Sequence, residues 1–226
     1  MKTIELRLDT EANYFMREAF NTLRTNVLFC GTSVKTIAVT SCLAHEGKTT
    51  VSLEMARCLA ESDRRVLFID ADLRKSTMVS RYTDQSGIVG LSQLISGQAD
   101  LSDAVYHTQF SGLDMIFAGP YPPNPTELVG SESFRQLLEA VRPHYDYIII
   151  DAPPLGLVVD AAVMASFCDG AILVLHRGKV KYREAQDVIA QIRKSGCPVL
   201  GAVLNQPMRA YIGSGVDSSY YHKRTK

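Results

Sequence analysis

Short runs of apolar, largely β-branched residues recur along the chain and predict strands. The clearest runs occupy residues 36–41, 66–70, 147–151, 171–175 and 199–204, with a weaker candidate at residues 113–117. Most of them are apolar at every position instead of at alternate positions, which is typical of strands that are covered on both faces of a sheet.

Between these runs, apolar residues return at helical spacing. Residues 49–61, 133–141 and 182–194 each place apolar side chains on one broad face, as amphipathic helices do. A further helix is predicted over residues 11–29, where apolar residues recur at four-residue steps. An alternation of strands and helices implies right-handed crossovers and a parallel sheet. The predicted fold is therefore α/β: a doubly wound, mainly parallel sheet with helices on both faces.

The last residues of the chain differ from the rest. Residues 211–226 are rich in Gly, Ser, Tyr and basic residues and have no apolar period, so we expect a flexible tail there. Residues 1–210 contain no internal repeat and no long Ser/Gly linker, and a length of 226 residues suits one domain. The sequence thus predicts a single folded domain followed by a tail.

The composition narrows the classes of function. Hydrophobic residues make up 46% of the chain and charged residues 21%, enough for a sizeable core. Lysine plus arginine and aspartate plus glutamate number 24 each, which argues against a nucleic-acid partner. The five cysteines are scattered and form no C-x-x-C pair, as expected of free thiols in a reducing compartment. No run reaches the roughly 18 apolar residues of a membrane helix, so we expect a cytoplasmic chain.

A phosphate-binding loop follows the first clear strand. Residues 42–50 read CLAHEGKTT and lead into a predicted helix, which is the context of a P-loop. Gly47 would let the backbone approach phosphates, Lys48 would reach the β- and γ-phosphates, and the Thr49 hydroxyl would ligate Mg²⁺. Cys42 occupies the place of the usual first glycine, and a chance Gly-Lys-Thr in a turn is the competing interpretation. The candidate nucleotide-binding residues here are Glu46, Gly47, Lys48, Thr49 and Thr50.

Acidic residues lie where two of the predicted strands end. Asp70 and Asp72 come at the end of one strand and Asp151 at the end of another. Because the carboxyl ends of parallel strands share an edge with the P-loop, we expect the carboxylates to converge on the γ-phosphate and Mg²⁺. A helix N-cap is the plainer interpretation of any single one. A strand that presents Asp70 and Asp72 at a period of two would place both carboxylates on one side, one for the metal and one for a hydroxyl nucleophile.

Longer motifs resemble one family. EGKTT (46–50), VLFIDADLR (66–74) and YDYIIIDAPP (145–154) resemble the Walker A, Walker A′ and Walker B motifs of the bacterial tyrosine kinases that control capsule and exopolysaccharide synthesis. REAFNTLRTNVLF (17–29) and GPYPPNPTELVGS (119–131) are similar to that family's leading helix and to its Pro-Pro-Asn-Pro-x-Glu-Leu segment. The resemblance covers nearly the whole chain. It implies the P-loop NTPase fold and an ATP-dependent tyrosine kinase.

The resemblance implies a role for each motif residue, with ATP and Mg²⁺ as cofactors. The implied catalytic residues are Lys48, Asp70, Asp72 and Arg74, and the implied metal ligands are Thr49, Asp70 and Asp151. Asp70 and Asp72 would serve the metal and the attacking tyrosine hydroxyl, and we favour Asp70 as the group nearest that hydroxyl. Asn205 would contact adenine, although a strand-end asparagine is often only a turn former.

The resemblance also implies where the phosphate goes. The γ-phosphate would pass to C-terminal tyrosines of a neighbouring subunit, and the candidates are Tyr211, Tyr220 and Tyr221. A solubilising tail with chance tyrosines is the competing interpretation. A flexible coil of about 16 residues reaches a few tens of ångströms, enough to deliver Tyr220 or Tyr221 to another subunit.

The implied partners are a second copy of the chain, in a ring assembled through the leading helix, and a transmembrane activator or polysaccharide co-polymerase. A cognate tyrosine phosphatase and protein substrates of polysaccharide synthesis complete the set. The chain would lie at the inner face of the membrane through the activator. Two positions depart from the family: its leading helix carries Glu-x-x-Arg-x-x-Arg where this chain has Glu18, Asn21 and Arg24, and His45 stands where a glycine is common.

Two other functions remain open. ATPase switches of the MinD/ParA type share the fold, the P-loop and the aspartate at position 151, but their loop carries an early lysine that residues 41–44 lack. Membrane switches of that type also end in an amphipathic helix, which the tail does not resemble. The other alternative is a non-catalytic regulator that binds ATP without transferring phosphate.

Overall fold

The computed structural model describes residues 2–8 and 14–206. The strands in these ranges are β1 (Lys2–Ile4), β2 (Thr36–Ser41), β3 (Val66–Asp70), β4 (Tyr106–Thr108), β5 (Leu113–Ile116), β6 (Tyr147–Asp151), β7 (Gly170–His176) and β8 (Val199–Asn205). The helices are α1 (Tyr14–Phe29), α2 (Lys48–Ala60), α3 (Met78–Tyr82), α4 (Leu91–Ile95), α5 (Leu101–Ala104), α6 (Pro125–Val129), α7 (Glu132–Val141), α8 (Asp160–Ala165) and α9 (Tyr182–Lys194).

These strands form one sheet in the order β1-β4-β5-β3-β6-β2-β7-β8. Every pair of neighbours is parallel except β4 and β5, which run antiparallel. Strand β2, which leads into the candidate P-loop, lies between β6 and β7, and β3 is the next strand beyond β6. The predicted doubly wound, mainly parallel α/β sheet of the P-loop NTPase fold is confirmed.

The strands are buried on both faces of the sheet. All of β2 is buried. Ala38 packs into a hydrophobic cluster with residues of α7, α8 and α9, whereas Ile37 and Val39 pack into a second cluster with residues of α1 and α2. A strand between two cores needs apolar side chains at consecutive positions. The continuous apolar runs in the sequence are a direct result of this double coverage.

The long elements agree closely with those predicted. The strands β2, β3 and β6 and the helix α9 have the predicted bounds, β7 is one residue longer at each end, and β8 runs on to Asn205. The sequence did not predict β1 and β4, because strands of three residues carry too little pattern. It also missed α3, α4, α5, α6 and α8, which have between four and six residues each.

Some predictions fall outside the described residues. These are the start of the leading helix at residues 11–13, the domain boundary at residue 210 and the whole tail at residues 211–226. Helix α1 is described from Tyr14 onward. Over the described ranges, no helix has both the length and the apolar character that a membrane span requires.

Candidate active site

The carboxyl ends of β2, β3 and β6 meet at one edge of the sheet and border a cleft. The cleft has a volume of about 230 Å³. The loop between β2 and α2 forms one wall, and the segments that follow β3 and β6 form the other. The lining includes Lys48, Thr49, Asp72, Arg74 and Pro153. The predicted phosphate loop and the predicted acids therefore lie at the same edge.

The phosphate loop has a left-handed backbone at two positions. Gly47 has φ 82°, and a Cβ atom there would lie 2.0 Å from Nδ2 of Asn205, so any other residue would be strained and would displace the Asn205 side chain. His45 has φ 62°, a conformation that glycine adopts without steric cost. Helix α2 begins after Gly47 with no side-chain cap. The N–H groups of its first turn, and the helix dipole, are thus directed at whatever anion enters the cleft.

Glu46 and Asn205 hold this loop in shape. The carboxylate of Glu46 is buried and accepts the N–H of Leu43 at 2.6 Å and the N–H of His176 at 2.8 Å. Nδ2 of Asn205 donates to the carbonyl oxygen of Glu46 at 2.8 Å. The Glu46 side chain is therefore used inside the loop instead of facing a ligand, and Asn205 contacts the loop from the end of β8.

Asp151 is the centre of a buried polar cluster beneath the loop. Its Oδ1 accepts from Nζ of Lys48 at 2.7 Å and from Oγ of Ser52 at 3.0 Å, and its Oδ2 accepts from Oγ1 of Thr49 at 2.7 Å. The side chains of Lys48 and Asp151 are 7% and 1% exposed, so this ion pair is shielded from water. Ser52 was not predicted. A serine on the otherwise apolar buried face of α2, one turn after Lys48, is the signal that could have found it.

Asp70 lies directly beside Asp151, because the two residues are register partners on β3 and β6. Its carboxylate accepts from Oγ of Ser76 and from the N–H of Asp72, the latter at 3.3 Å. Burial, followed by the charge of Asp151, raises the pKa of Asp70 to about 7, although Ser76 and Lys48 act in the opposite direction. Ser76 is a further site residue that sequence reasoning missed.

Asp72 has a different environment from Asp70. Strand β3 ends at Asp70, so the prediction that one strand presents both carboxylates at a period of two is wrong. Asp72 lies in the following turn, is partly exposed, lines the cleft and accepts the N–H of Lys75 at 3.0 Å. In the ranges that the structure covers, no three His, Cys, Asp or Glu side chains form a joint metal site. Asp70 and Asp151 form a pair, and Asp72 does not join them.

The pair of buried acids fits a divalent cation. Carboxylate and hydroxyl oxygens are the ligands that Mg²⁺ prefers, and Asp151, Thr49 and Asp70 supply them within one small region. A cation there would also offset the repulsion between the two carboxylates that raises the pKa of Asp70. The donor set is therefore consistent with the predicted Mg²⁺ ligands.

Arg74 lines the cleft but is already held by protein groups. Its guanidinium forms two hydrogen bonds with the buried carboxylate of Asp160, at 2.7 and 3.1 Å. A third hydrogen bond, 2.8 Å long, goes to Oγ1 of Thr126. Neither partner was predicted. Asp160 was visible in the sequence only as a charge that interrupts an apolar run.

Gly156 brings the segment after β6 against the phosphate loop. A Cβ atom at Gly156 would lie 2.2 Å from the carbonyl oxygen of Cys42. Cys42 itself is buried, and burial raises the pKa of its thiol to about 12, so it stays protonated at neutral pH.

Thr50 lines the cleft with its hydroxyl 3.3 Å from that of Tyr82. The predicted acceptors Tyr211, Tyr220 and Tyr221 lie outside the described residues.

Comparison with known proteins first defines the class. The family model described as "AAA domain" matches residues 34–194, from the start of β2 to the end of α9. Among solved structures, the septum site-determining protein MinD of Pyrococcus horikoshii, in complex with Mg-ADP, has a TM-score of 0.64 and 26% identity over 77% of this chain and 71% of its own. The chain is thus a P-loop protein with the nucleotide-binding fold of the AAA-domain family.

Relatives with higher sequence identity define the family more narrowly. Tyrosine-protein kinase CpsD of Streptococcus agalactiae is 41% identical over 209 residues, which are 92% of this chain and 91% of that protein. Tyrosine-protein kinase YwqD of Bacillus subtilis is 32% identical over 87% of this chain and 83% of its own. The kinase domain of Escherichia coli tyrosine kinase ETK has a TM-score of 0.78 and 35% identity over 84% of this chain and 75% of its own. The chain belongs to the family of bacterial tyrosine-protein kinases.

Proposed function

We propose that this protein is an ATP- and Mg²⁺-dependent autokinase that transfers the γ-phosphate of ATP to C-terminal tyrosines of a neighbouring subunit and so regulates capsular or exopolysaccharide synthesis. The observation that carries the proposal is the cluster of Lys48, Thr49, Asp70 and Asp151 directly beneath an uncapped helix start. Phosphoryl transfer depends mainly on positioning and charge, and this cluster supplies both.

In this proposal, different residues bind the phosphates, the metal and the base of the nucleotide. The first N–H groups of α2 and Nζ of Lys48 hold the phosphates. Mg²⁺, held by Thr49, Asp151 and Asp70, would neutralise charge on the β- and γ-phosphates. The family resemblance implies that Asn205 contacts the base, and its side chain lies beside Gly47 at the phosphate loop.

Asp72 is the better candidate for the group that orients the tyrosine hydroxyl and takes its proton. It is partly exposed and lines the cleft. The carboxylate of Asp70 is 1% exposed and already accepts hydrogen bonds from Ser76 and from the N–H of Asp72. The geometry therefore favours Asp72 near the hydroxyl and Asp70 near the metal, which reverses the preference drawn from the sequence.

The proposed partners are those that the family resemblance implies, and the exposed surface of α1 supports one of them. Tyr14, Phe15 and Met16 are 49%, 42% and 57% exposed on this helix, which favours contact with a second copy of the chain in a ring. A transmembrane activator would hold the protein at the inner face of the cytoplasmic membrane, with a tyrosine phosphatase and substrates of polysaccharide synthesis as further partners.

The proposal is tested by incubating the purified protein with Mg²⁺ and γ-labelled ATP. We expect label in the protein, none in Lys48→Met, and a strong loss in the double variant Tyr220→Phe, Tyr221→Phe with unchanged nucleotide affinity. Tyr211→Phe is the matched control and should retain most of the label, since Tyr211 is the candidate that lies closest in sequence to the P-loop domain. Equal labelling of the double variant and the wild type would refute the tail as the main acceptor.

The same assay separates the two alternative functions. A MinD-type ATPase would release the label as free phosphate and leave the protein unlabelled. A non-catalytic regulator would bind the nucleotide and release none. Either result with the wild-type protein would contradict the kinase proposal.

A further inference from the structure

Arg74, which lines the cleft, forms a hydrogen-bonded ion pair with Asp160. Nε of Arg74 lies 2.7 Å from Oδ2 of Asp160, and Nη2 lies 3.1 Å from Oδ1. Oγ1 of Thr126 donates to the same Oδ1 at 2.6 Å and accepts from Nη2 at 2.8 Å. The side chain of Asp160 is 3% exposed and that of Arg74 is 34% exposed. The three side chains thus form hydrogen bonds with one another. Asp160 is buried, and Arg74 lies at the surface of the cleft.

The network joins three separate segments of the site. Arg74 lies in the turn that also carries Asp72, Thr126 lies in α6, and Asp160 begins α8 after the segment that follows Asp151. A bidentate pair between guanidinium and carboxylate fixes the plane of the guanidinium as well as its position. The turn after β3 is therefore held at a fixed distance from the segment after β6.

One edge of the guanidinium remains available to a substrate. The network uses Nε and Nη2, and in the part of the chain that the structure describes Nη1 has no protein partner. Arg74 lines the cleft, whereas Asp160 and Thr126 do not. The contact that joins Asp160 to a side chain of the cleft is its pair with Arg74.

We propose that Asp160, assisted by Thr126, is a positioning residue for phosphoryl transfer, because it holds Arg74 with the free edge of its guanidinium towards the cleft. This inference rests on the proposed kinase function. Charges that stabilise a transition state work best when they are fixed before the reaction, and a displacement of about 1 Å can cost about 100-fold in rate. The contact acts on the transfer step, since Lys48 and the first turn of α2 bind the phosphates without it.

The experiment measures single-turnover transfer from labelled ATP, with nucleotide affinity measured separately. Asp160→Asn should slow transfer about 10- to 100-fold and change the nucleotide Kd by less than about twofold. Arg74→Ala should slow transfer at least as much. The double variant should be no slower than Arg74→Ala alone, because the two residues act as one unit.

Asp169 offers a matched control away from the cleft. Its carboxylate forms the same kind of pair with Arg142, at 2.7 and 3.0 Å, beside the amino end of β2. Asp169→Asn should lower the unfolding temperature and leave the transfer rate unchanged. If Asp160→Asn folds poorly, Thr126→Val removes only a hydroxyl and should slow transfer about threefold at unchanged nucleotide affinity.

Several results would overturn the inference. One is wild-type transfer in Asp160→Asn, and another is a double variant slowed by the product of the two single effects. A parallel loss of nucleotide affinity would assign the network to binding instead. Absence of transfer in the wild type would overturn the kinase proposal and this inference with it, whereas normal transfer in Asp160→Asn beside an active wild type would overturn this inference alone.

Discussion

Replacing Asp70 by asparagine should stabilise the metal-free protein at alkaline pH while it slows phosphoryl transfer. Asp70 is buried, lies beside Asp151, and has a pKa raised from 3.8 to about 7. Its negative charge is therefore unfavourable in the folded protein when no cation is bound. Asparagine has nearly the same shape and can keep the hydrogen bonds with Ser76 and the N–H of Asp72.

The size and sign of the effect follow from the two pKa values. Between about pH 4 and pH 7 the folded protein holds a proton on Asp70 that the unfolded chain has released, so the free energy of unfolding falls as the pH rises and levels off above pH 7. Each pKa unit corresponds to about 1.4 kcal/mol, which sets a ceiling of about 4 kcal/mol. Roughly 2–3 kcal/mol of this change falls between about pH 5 and pH 8.

The assay is urea-induced unfolding at these two pH values in the presence of a metal chelator. The stability difference between Asp70→Asn and the wild type should grow by roughly 2–3 kcal/mol from the lower to the higher pH. Asp72→Asn makes the same chemical change at a partly exposed position and should alter stability by less than about 0.5 kcal/mol at both. A difference for Asp70→Asn that is the same at both pH values would refute the assignment of a buried, destabilising charge.

Two further predictions concern the loop and α1. Gly47→Ala and Gly178→Ala both place a side chain at a left-handed backbone, at a cost of about 1 kcal/mol, but only the alanine at 47 would collide with Asn205. Calorimetry should therefore show a loss of nucleotide affinity of at least tenfold for Gly47→Ala and none for Gly178→Ala, and equal affinities would refute the need for this close contact. Asn21→Arg supplies the middle arginine of the family's Glu-x-x-Arg-x-x-Arg pattern and should shift the protein towards larger oligomers in sedimentation, unlike Thr25→Arg on the same helix. Equal masses of the two variants would argue against a ring through α1.

Most of the strands could be predicted, because they lie between two helical layers and are therefore apolar at nearly every position. The run at residues 147–151 is apolar up to its final aspartate and became β6 with the predicted bounds. The strands β1 and β4 could not be predicted in the same way. They have three residues each, and their pairing depends on contacts between distant parts of the chain, such as Lys2 with Tyr106.

The site was predictable where a motif fixes both residue type and spacing. Gly47, Lys48 and Thr49 occupy the positions that the P-loop pattern requires. The separate environments of Asp70 and Asp72 depend on where β3 ends, which is known only to within a few residues from sequence. The partner of Asp160 could not be predicted from the sequence. A charged residue in an apolar run indicates that it has a partner, but it does not indicate which residue that partner is, and Arg74 lies 86 positions away.

The buried ion pair of Lys48 and Asp151 balances the two opposite charges within the protein. A bare anion that drew Lys48 away would leave the buried carboxylate of Asp151 with its hydrogen bonds from Thr49 and Ser52 but without its cation, which costs roughly several kcal/mol. A nucleotide bound together with a divalent cation would offer an anion to Lys48 and a cation to Asp151. We therefore expect free phosphate or citrate to bind at this loop more weakly than a metal–nucleotide complex of similar charge.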